Sequence, residues 1–566
     1  MSEFLKSKFG FGVLLTAIAV VYAVGGLVDV MGVDAAQYAS MSLEMMQTGE
    51  ILQVQHRYQD YLDKPPLLFW LSSLSFWLFG VSNFAYKLPS ILFSLLGIFS
   101  TYKLGKKLYD EETGRLASLI LGSCQAMILI NNDVRTDTIL TGALIFALWQ
   151  WILYFEDKKW GNLVFGSVGV ALAMLSKGPI GLMMPVLALG SEIVIKGQWR
   201  KTIDPKLLMA IFLIAIMLLP MCIGLYHQHG MEGLKFYFWT QSFGRLTGEN
   251  VWANDEGPLF FIETFLWSFL PWTLFGGVAV LQRFFFLFRD GSSNRKSREY
   301  YTIGGITLVF IAMSLSKYKL QHYVFIAFPL IAILTGSFMV RIMKHSIWSS
   351  IQNVIAGLIL ILISVLSIYS FDPKWWAIAL LVVAFLGFGF VILKGDKKAK
   401  LWLPSFLVYI TVGLIINGAI YPQLMSYQAT SVAGKWMKNK GLTTDQVRAF
   451  GDGGHAMDFY SGFIVKWDNF SDFDAIRSRD TLFVFTNPKK YEGMSKNYGP
   501  ADSVLTIPSF SVQFMKLPFL NPERRHEVLK EKLILMYYPF KAETASHAIK
   551  PEPISSALSS MSNVGI

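Results

Sequence analysis

Apolar runs of the length needed to cross a bilayer recur along the first 420 residues of the chain. A hydrocarbon core about 30 Å thick takes roughly 20 helical residues to cross. Runs that approach this length lie near 9–28, 88–105, 116–131, 138–155, 161–176, 179–195, 207–226, 258–282, 301–315, 322–340, 349–370, 374–393 and 402–420. The pattern predicts thirteen spans. Lys6 and Lys8 precede the first, as they would in a signal peptide, but its apolar core is long and no A-x-A site follows, so it reads as an uncleaved span. One further run, 66–80, is short for a span and reads as a helix lying on the outer surface. Beyond residue 420 the polarity becomes ordinary. Residues 431–440 read as a helix, 446–450 as a short strand and 481–486 (TLFVFT) as a β-rich run, with Asn487-Pro488 as a turn signal.

The expected organisation is an all-α polytopic membrane domain over 1–420 with a soluble α/β domain over 421–543. A Ser/Ala/Pro-rich tail, 544–566, reads as disordered. Composition agrees: 53% of residues are apolar and only 16% charged, against about 45–50% and roughly 25% in soluble domains. This excludes a single soluble globule and a disordered chain. Cys124 and Cys222 both lie in apolar runs and carry no metal or redox spacing.

A net charge of +11 invites a nucleic-acid reading. The distribution removes it. If 66–80 does not cross, loops at 6–8, 103–115, 158–159, 196–206, 283–298, 341–344 and 394–400 share one side and hold 23 Lys and Arg. The opposite loops hold 10. The positive-inside rule places the first set in the cytoplasm and the 421–543 domain outside.

The outer loops then hold the chemistry. The first, 29–87, contains Asp34, Tyr38, Tyr61, Asp63, Lys64, Pro65 and Pro66; a tiny one contains Asp133-Val134-Arg135-Thr136-Asp137. Lys177-Gly178-Pro179 is a tight turn that lacks the Gly-rich approach of a phosphate-binding loop. A second large loop, 227–257, contains Arg245, and the last runs from Ser316 through Lys317, Lys319 and His322 to Tyr323. Any one of these charges, alone, is ordinarily a solvated or snorkelling side chain, and His227 with His229 is an incidental pair. Recurring acids and cations at the outer mouths of several spans are costly near lipid and mark a pathway or a site.

In order along the chain, D-x-x-x-Y-A from Asp34, then Thr48-Gly49-Glu50, then Y-x-D-K-P-P-L-x-x-W-L from Tyr61 resemble a known family. Asp133–Asp137, Ser176–Pro179, Gly244-Arg245, Pro271-Trp272 and 316–323 (SKYKLQHY) continue the series. The pattern resembles the bacterial protein-mannosyltransferase-like integral membrane glycosyltransferases, among them the aminoarabinose transferases that modify lipid A. The likeness covers about 9–340.

The resemblance implies the GT-C fold, a polyprenyl-phosphate-linked sugar donor, a lipid or protein acceptor and inversion at the anomeric carbon. It places the active site on the periplasmic face of the bacterial cytoplasmic membrane. Asp34 stands at the family's catalytic position, followed here by Ala35 where relatives carry a second acid, and Asp137 matches another acid near the site. Asp63 stands where relatives carry Glu. Charge grows on the departing phosphate during such a transfer, so fixed cations lower the barrier. Lys64, Arg245 and Lys319 are the candidates, with Lys177 in the pocket. Asp34 suits a general base toward a hydroxyl acceptor, His322 is a second base, and Tyr61 and Tyr323 can stack on the sugar. Asp34, Asp63 and Asp137 are candidates for a shared divalent ion, although no ligand spacing marks one. Rival readings are a lipid-linked saccharide transporter or flippase, and a polysaccharide ligase.

Overall fold

The computed structural model describes residues 2–241, 244, 254, 256–289, 298–343, 346–468 and 470–539. Arg245 and the 544–566 tail lie outside the described residues. Each expected span falls on a helix or a helix pair. Within lipid only internally bonded backbone is stable, which is why long apolar runs become helices.

Among the described residues, eight helices are long and apolar enough to cross a membrane. They are Lys8–Leu27, Asn83–Leu108, Thr136–Asp157, Lys206–Thr240, Gln321–Ile342, Ser346–Ser370, Trp375–Lys394 and Lys397–Met425. Glu111–Gly122 and Gln125–Asn132, bent by 49°, make a ninth if taken as one broken span. The other expected spans fall on Trp160–Lys177, Ile180–Lys196, the pair Phe260–Ser268 and Thr273–Arg289, and the 14-residue Tyr301–Ser314. The run at 66–80 forms the 13-residue helix Leu67–Phe79. Gly230 breaks the long helix that begins at Lys206: its φ is 60°, a region that glycine enters without strain.

Several polar groups inside the helical core are paired across helices. Lys87, which pattern alone assigns to an outer loop, is fully buried in Asn83–Leu108. Its ammonium donates to the carbonyls of Val28 (2.6 Å) and Gly25 (3.2 Å). These lie at the end of the first span, where a helix leaves carbonyls without partners. Asn132 donates to Asn417 at 2.8 Å, and Asn417 donates to the Val21 carbonyl at 3.0 Å, tying three helices.

The chain divides into two compact units. One comprises residues up to 441 together with 454–464 and 507–532; the other comprises 442–453, 465–506 and the chain from 533 onward. A five-stranded sheet joins β3 (Val447–Ala449), β4 (Lys466–Trp467), β5 (Leu482–Thr486), β6 (Ser503–Ser509) and β7 (Lys530–Tyr537) in the order β4-β3-β5-β7-β6. β3 pairs in parallel with β4 and β5, and β5 runs antiparallel to β7 with Val484 opposite Leu535. Leu482, Val484, Leu535 and Tyr537 pack with Phe473. Two of the five strands, β3 and β5, sit where the runs at 446–450 and 481–486 predict; β4, β6 and β7 lie in segments that the pattern does not mark. Asn487-Pro488, read as a turn, instead starts the helix Pro488–Tyr498: the Asn487 side chain accepts from the Lys490 amide. Asn at the cap and Pro in the first turn are strong start signals, and they prevail over the turn reading.

Candidate active site

Two charge clusters flank the turn at 133–137, one of them reaching the start of the helix Val33–Thr48. The helix Val33–Thr48 begins at Gly32 and carries Asp34 in its first turn, a place that favours a carboxylate. Asp34 accepts from Arg135 at 2.6 Å; Arg135 also donates to Asp133 at 3.1 Å; Asp133 accepts from the Gly32 amide at 2.8 Å. The ring of contacts is closed. A Cβ at position 32 would stand 2.2 Å from the Asp133 carboxylate, so glycine is needed for this approach. Burial opposes the charge on Arg135, but Asp133 and Asp34 outweigh it and raise its pKa.

One turn further, Asp137 points into the protein. Its side chain is 3% exposed and pairs with Lys177, itself 9% exposed. His322 Nε2 lies 3.5 Å from the same carboxylate. Lys177 Nζ also sits 3.8 Å from the centre of the Tyr323 ring. Four residues from three distant parts of the sequence therefore form one buried unit. Lys64 pairs with Asp63, whose backbone carbonyl accepts from Gln241. The Tyr61 hydroxyl bonds the Asp63 carboxylate, and burial, then Asp63 and Asp34, raise its pKa.

A cavity of about 280 Å³ opens beside Lys64 and Lys177. Its lining combines the polar Lys64, Lys177, Gln241, Ser316 and Tyr323 with the apolar Ile180, Met183, Leu187 and Met313. Lys319 stands apart: its ammonium donates to the Glu256 carbonyl at 2.8 Å and its backbone bonds Asn254, so it braces a loop. It does not line the cavity. The shared-ion expectation does not fit the arrangement. Asp34, Asp63 and Asp137 each hold a separate cation, and no group of three His, Cys, Asp or Glu among the described residues could hold a metal.

Sequence reasoning passed over a second pair of elements beside Asp34. Strands β1 (Gln55–His56) and β2 (Gln59–Asp60) form a hairpin whose turn residues, Arg57 and Tyr58, have φ of 58° and 60°. Such a turn is strained for residues other than glycine. Buried Glu44 supports it by accepting from the Arg57 and Tyr58 amides at 2.8 and 2.6 Å. Arg57 pairs with Asp458, and His56 Nε2 meets His455 Nδ1 at 3.2 Å. The Gln37 amide lies 3.4 Å from His56 Nδ1. His227 and His229, the only histidines close together in sequence, gave a signal elsewhere; His56 and His455 meet across 399 residues.

Burial, then His455 and Arg57, push the pKa of His56 down to about 4. Burial, then Arg57, push that of His455 down to about 4, with Asp34 opposing. Both rings are therefore neutral when docked, whereas an unfolded histidine takes a proton near 6.5. The stabilisation is complete above about pH 6.5 and is lost as pH falls toward 4. Hydrogen-exchange protection factors for 55–60 and 455–461 should accordingly fall between pH 7.5 and pH 5. Protection that is equal at both values would refute the coupling.

Residues 63–223 match the family described as dolichyl-phosphate-mannose-protein mannosyltransferase. The chain is 23% identical over 318 residues to the undecaprenyl phosphate-alpha-4-amino-4-deoxy-L-arabinose arabinosyl transferase of Edwardsiella ictaluri, covering 55% of each protein. It is 24% identical over 412 residues to the protein of that name from Yersinia pestis, covering 68% of this chain and 72% of that one. The matched region thus spans little more than half of the first of these relatives. In structure it is similar to ArnT from Cupriavidus metallidurans bound to undecaprenyl phosphate, with a TM-score of 0.73 and 16% identity over 96% of this chain and all of that one. The chain has the GT-C fold of ArnT, and its residues 63–223, which carry Asp63, Lys64, Asp137 and Lys177, match the mannosyltransferase family.

Proposed function

We propose that this chain is a membrane glycosyltransferase that moves a sugar from a polyprenyl-phosphate donor to a lipid or protein acceptor, at the outer face of the bacterial cytoplasmic membrane. The observation that carries the reading is the cavity whose lining joins the cations Lys64 and Lys177 to a mainly apolar wall. Such a site suits a molecule with an anionic head and a hydrocarbon tail. The names of the relatives, undecaprenyl-phosphate-dependent arabinosyl transferases, and the undecaprenyl phosphate of the ArnT structure support the donor class. The excess of basic residues on the opposite loops supports the outer orientation.

The acceptor oxygen attacks the anomeric carbon from the face opposite the phosphate, and a new C–O bond forms with inversion. The old bond to the phosphate oxygen breaks and its electron pair stays with the departing polyprenyl phosphate. Lys64 and Lys177 meet the charge that develops there. With a hydroxyl acceptor, Asp34 takes the proton; with a phosphate acceptor, already an anion, Asp34 orients the reactants. Arg135 fixes the Asp34 carboxylate for either role.

Purified protein in nanodiscs, given a polyprenyl-phosphate sugar and a lipid acceptor, should release free polyprenyl phosphate as glycosylated product accumulates. Lys64→Ala should lower that rate by about 10²–10³-fold, the scale of losing one fixed charge at a developing anion. A donor that crosses the bilayer intact, with no covalent product, would overturn the reading in favour of a transporter.

A further inference from the structure

The segment that follows β6 is pinned at both ends and bulges between them. Phe510 donates its amide to the Tyr427 carbonyl at 2.9 Å, and its ring stacks on Phe519 with centroids 4.1 Å apart. Both rings are buried. Between them the chain turns outward and presents Phe514, 72% exposed, Leu517, 83% exposed, and the exposed Met515. Lys516 sits among them. Apolar side chains clustered at the tip of an ordered loop are uncommon on a water-facing surface and mark a contact.

The position of the loop decides which contact. Arg525 donates to the carbonyls of Phe519 and Ser370, and its guanidinium lies 5.8 Å from the centre of the Phe371 ring. Ser370 is the last residue of the apolar helix Ser346–Ser370, and the next apolar helix begins at Trp375. The loop is therefore fastened where two spans meet the membrane surface. Ile368, Tyr369 and Trp375, around the same junction, are exposed too, so apolar surface stands at the span ends as well as on the tip. Tyr and Trp at span ends are the usual markers of the headgroup level, and a lysine among apolar residues can keep its charge at the surface.

We propose that the tip formed by Phe514, Met515 and Leu517 inserts into the headgroup region of the outer leaflet and anchors the segment 507–532 to the lipid surface. The contact does not depend on the transfer reaction. It commits the tip to lipid, to which the adjoining span surfaces are already exposed, rather than to a soluble partner or a second copy. Insertion of such a tip reaches about 5–10 Å into the boundary between headgroups and acyl chains.

The test uses the full chain with Leu517→Cys and Cys222→Ala, leaving Cys124 buried, labelled with an environment-sensitive fluorophore in nanodiscs of phosphatidylethanolamine and phosphatidylglycerol. The label should lose about half its emission to a lipid nitroxide placed near the glycerol end of the chain, less to one near the methyl end, and little to aqueous iodide. Strong iodide quenching without nitroxide quenching would overturn the proposal. So would shielding from iodide that grows with protein density and brings no nitroxide quenching, since that marks a second copy. Leu517 touches solvent over most of its surface, so the substitution leaves the fold intact.

Discussion

Replacing Asp34 with Asn is expected to reduce transfer to a hydroxyl acceptor by about 10²–10⁴-fold, the range for losing a general base. Folding and donor binding should persist. Asp34 and Asp137 differ in reach: the side chain of the first is 47% exposed, whereas that of the second is 3% exposed. A base must reach its substrate, and only the first can do so without rearrangement. Asn retains an oxygen for Arg135, so the contacts among Gly32, Asp133 and Arg135 stay in place. The variant thus removes basicity and little else. The size of the effect also reports on the acceptor, because a phosphate brings no proton to remove and its transfer should fall less. Initial rates with purified variant, beside an unchanged unfolding midpoint, make the measurement. Turnover within about twofold of the parent with a hydroxyl acceptor would remove Asp34 as the base.

Asp137→Ala should act first on stability. Lys177 would lose its carboxylate, and His322 its neighbour at 3.5 Å, in a part of the protein where both side chains are largely buried. Removing one partner of a buried pair costs about 3–5 kcal/mol, because the other charge remains without compensation. The pair Asp137→Ala with Lys177→Met removes both charges, and most of the lost stability should return. Transfer should not return with it, since Lys177 lines the cavity. Thermal unfolding in detergent separates the two variants. Equal midpoints for the single and double variants, both below the parent, would mean that the stranded Lys177 charge is not the source of the loss.

Much of the architecture can be read from hydrophobic length alone, because in lipid the backbone has few alternatives to a helix. Two of the five strands of the tail are legible for a similar reason, runs such as Leu482–Thr486 being largely buried. The longer Ser503–Ser509 and Lys530–Tyr537 mix apolar with polar residues and carry no such signal. Several candidate residues also come together as their position at outer span ends suggests, with Asp137, Lys177, His322 and Tyr323 in one unit. Other features depend on contacts that no local pattern carries. Lys87 resembles any loop lysine until its helix is packed against the end of the first span. Lys319 has the right charge and the right loop, yet the Glu256 carbonyl takes its ammonium. His56 and His455 are single histidines in unremarkable segments, and only tertiary packing pairs them.

The contact between Arg57 and Asp458 has a consequence for the order in which the protein is built. These residues are 401 positions apart. At a synthesis rate of about 5–20 residues per second, the hairpin leaves the ribosome roughly 20–80 s before its partner. Throughout that interval the strained turn at Arg57 and Tyr58 has Glu44 but not the helix His455–Ser461 to hold it. The face that carries Asp34 therefore matures late, after the spans are in place, and a chain cut after residue 441 would keep its membrane helices while leaving this face unfinished.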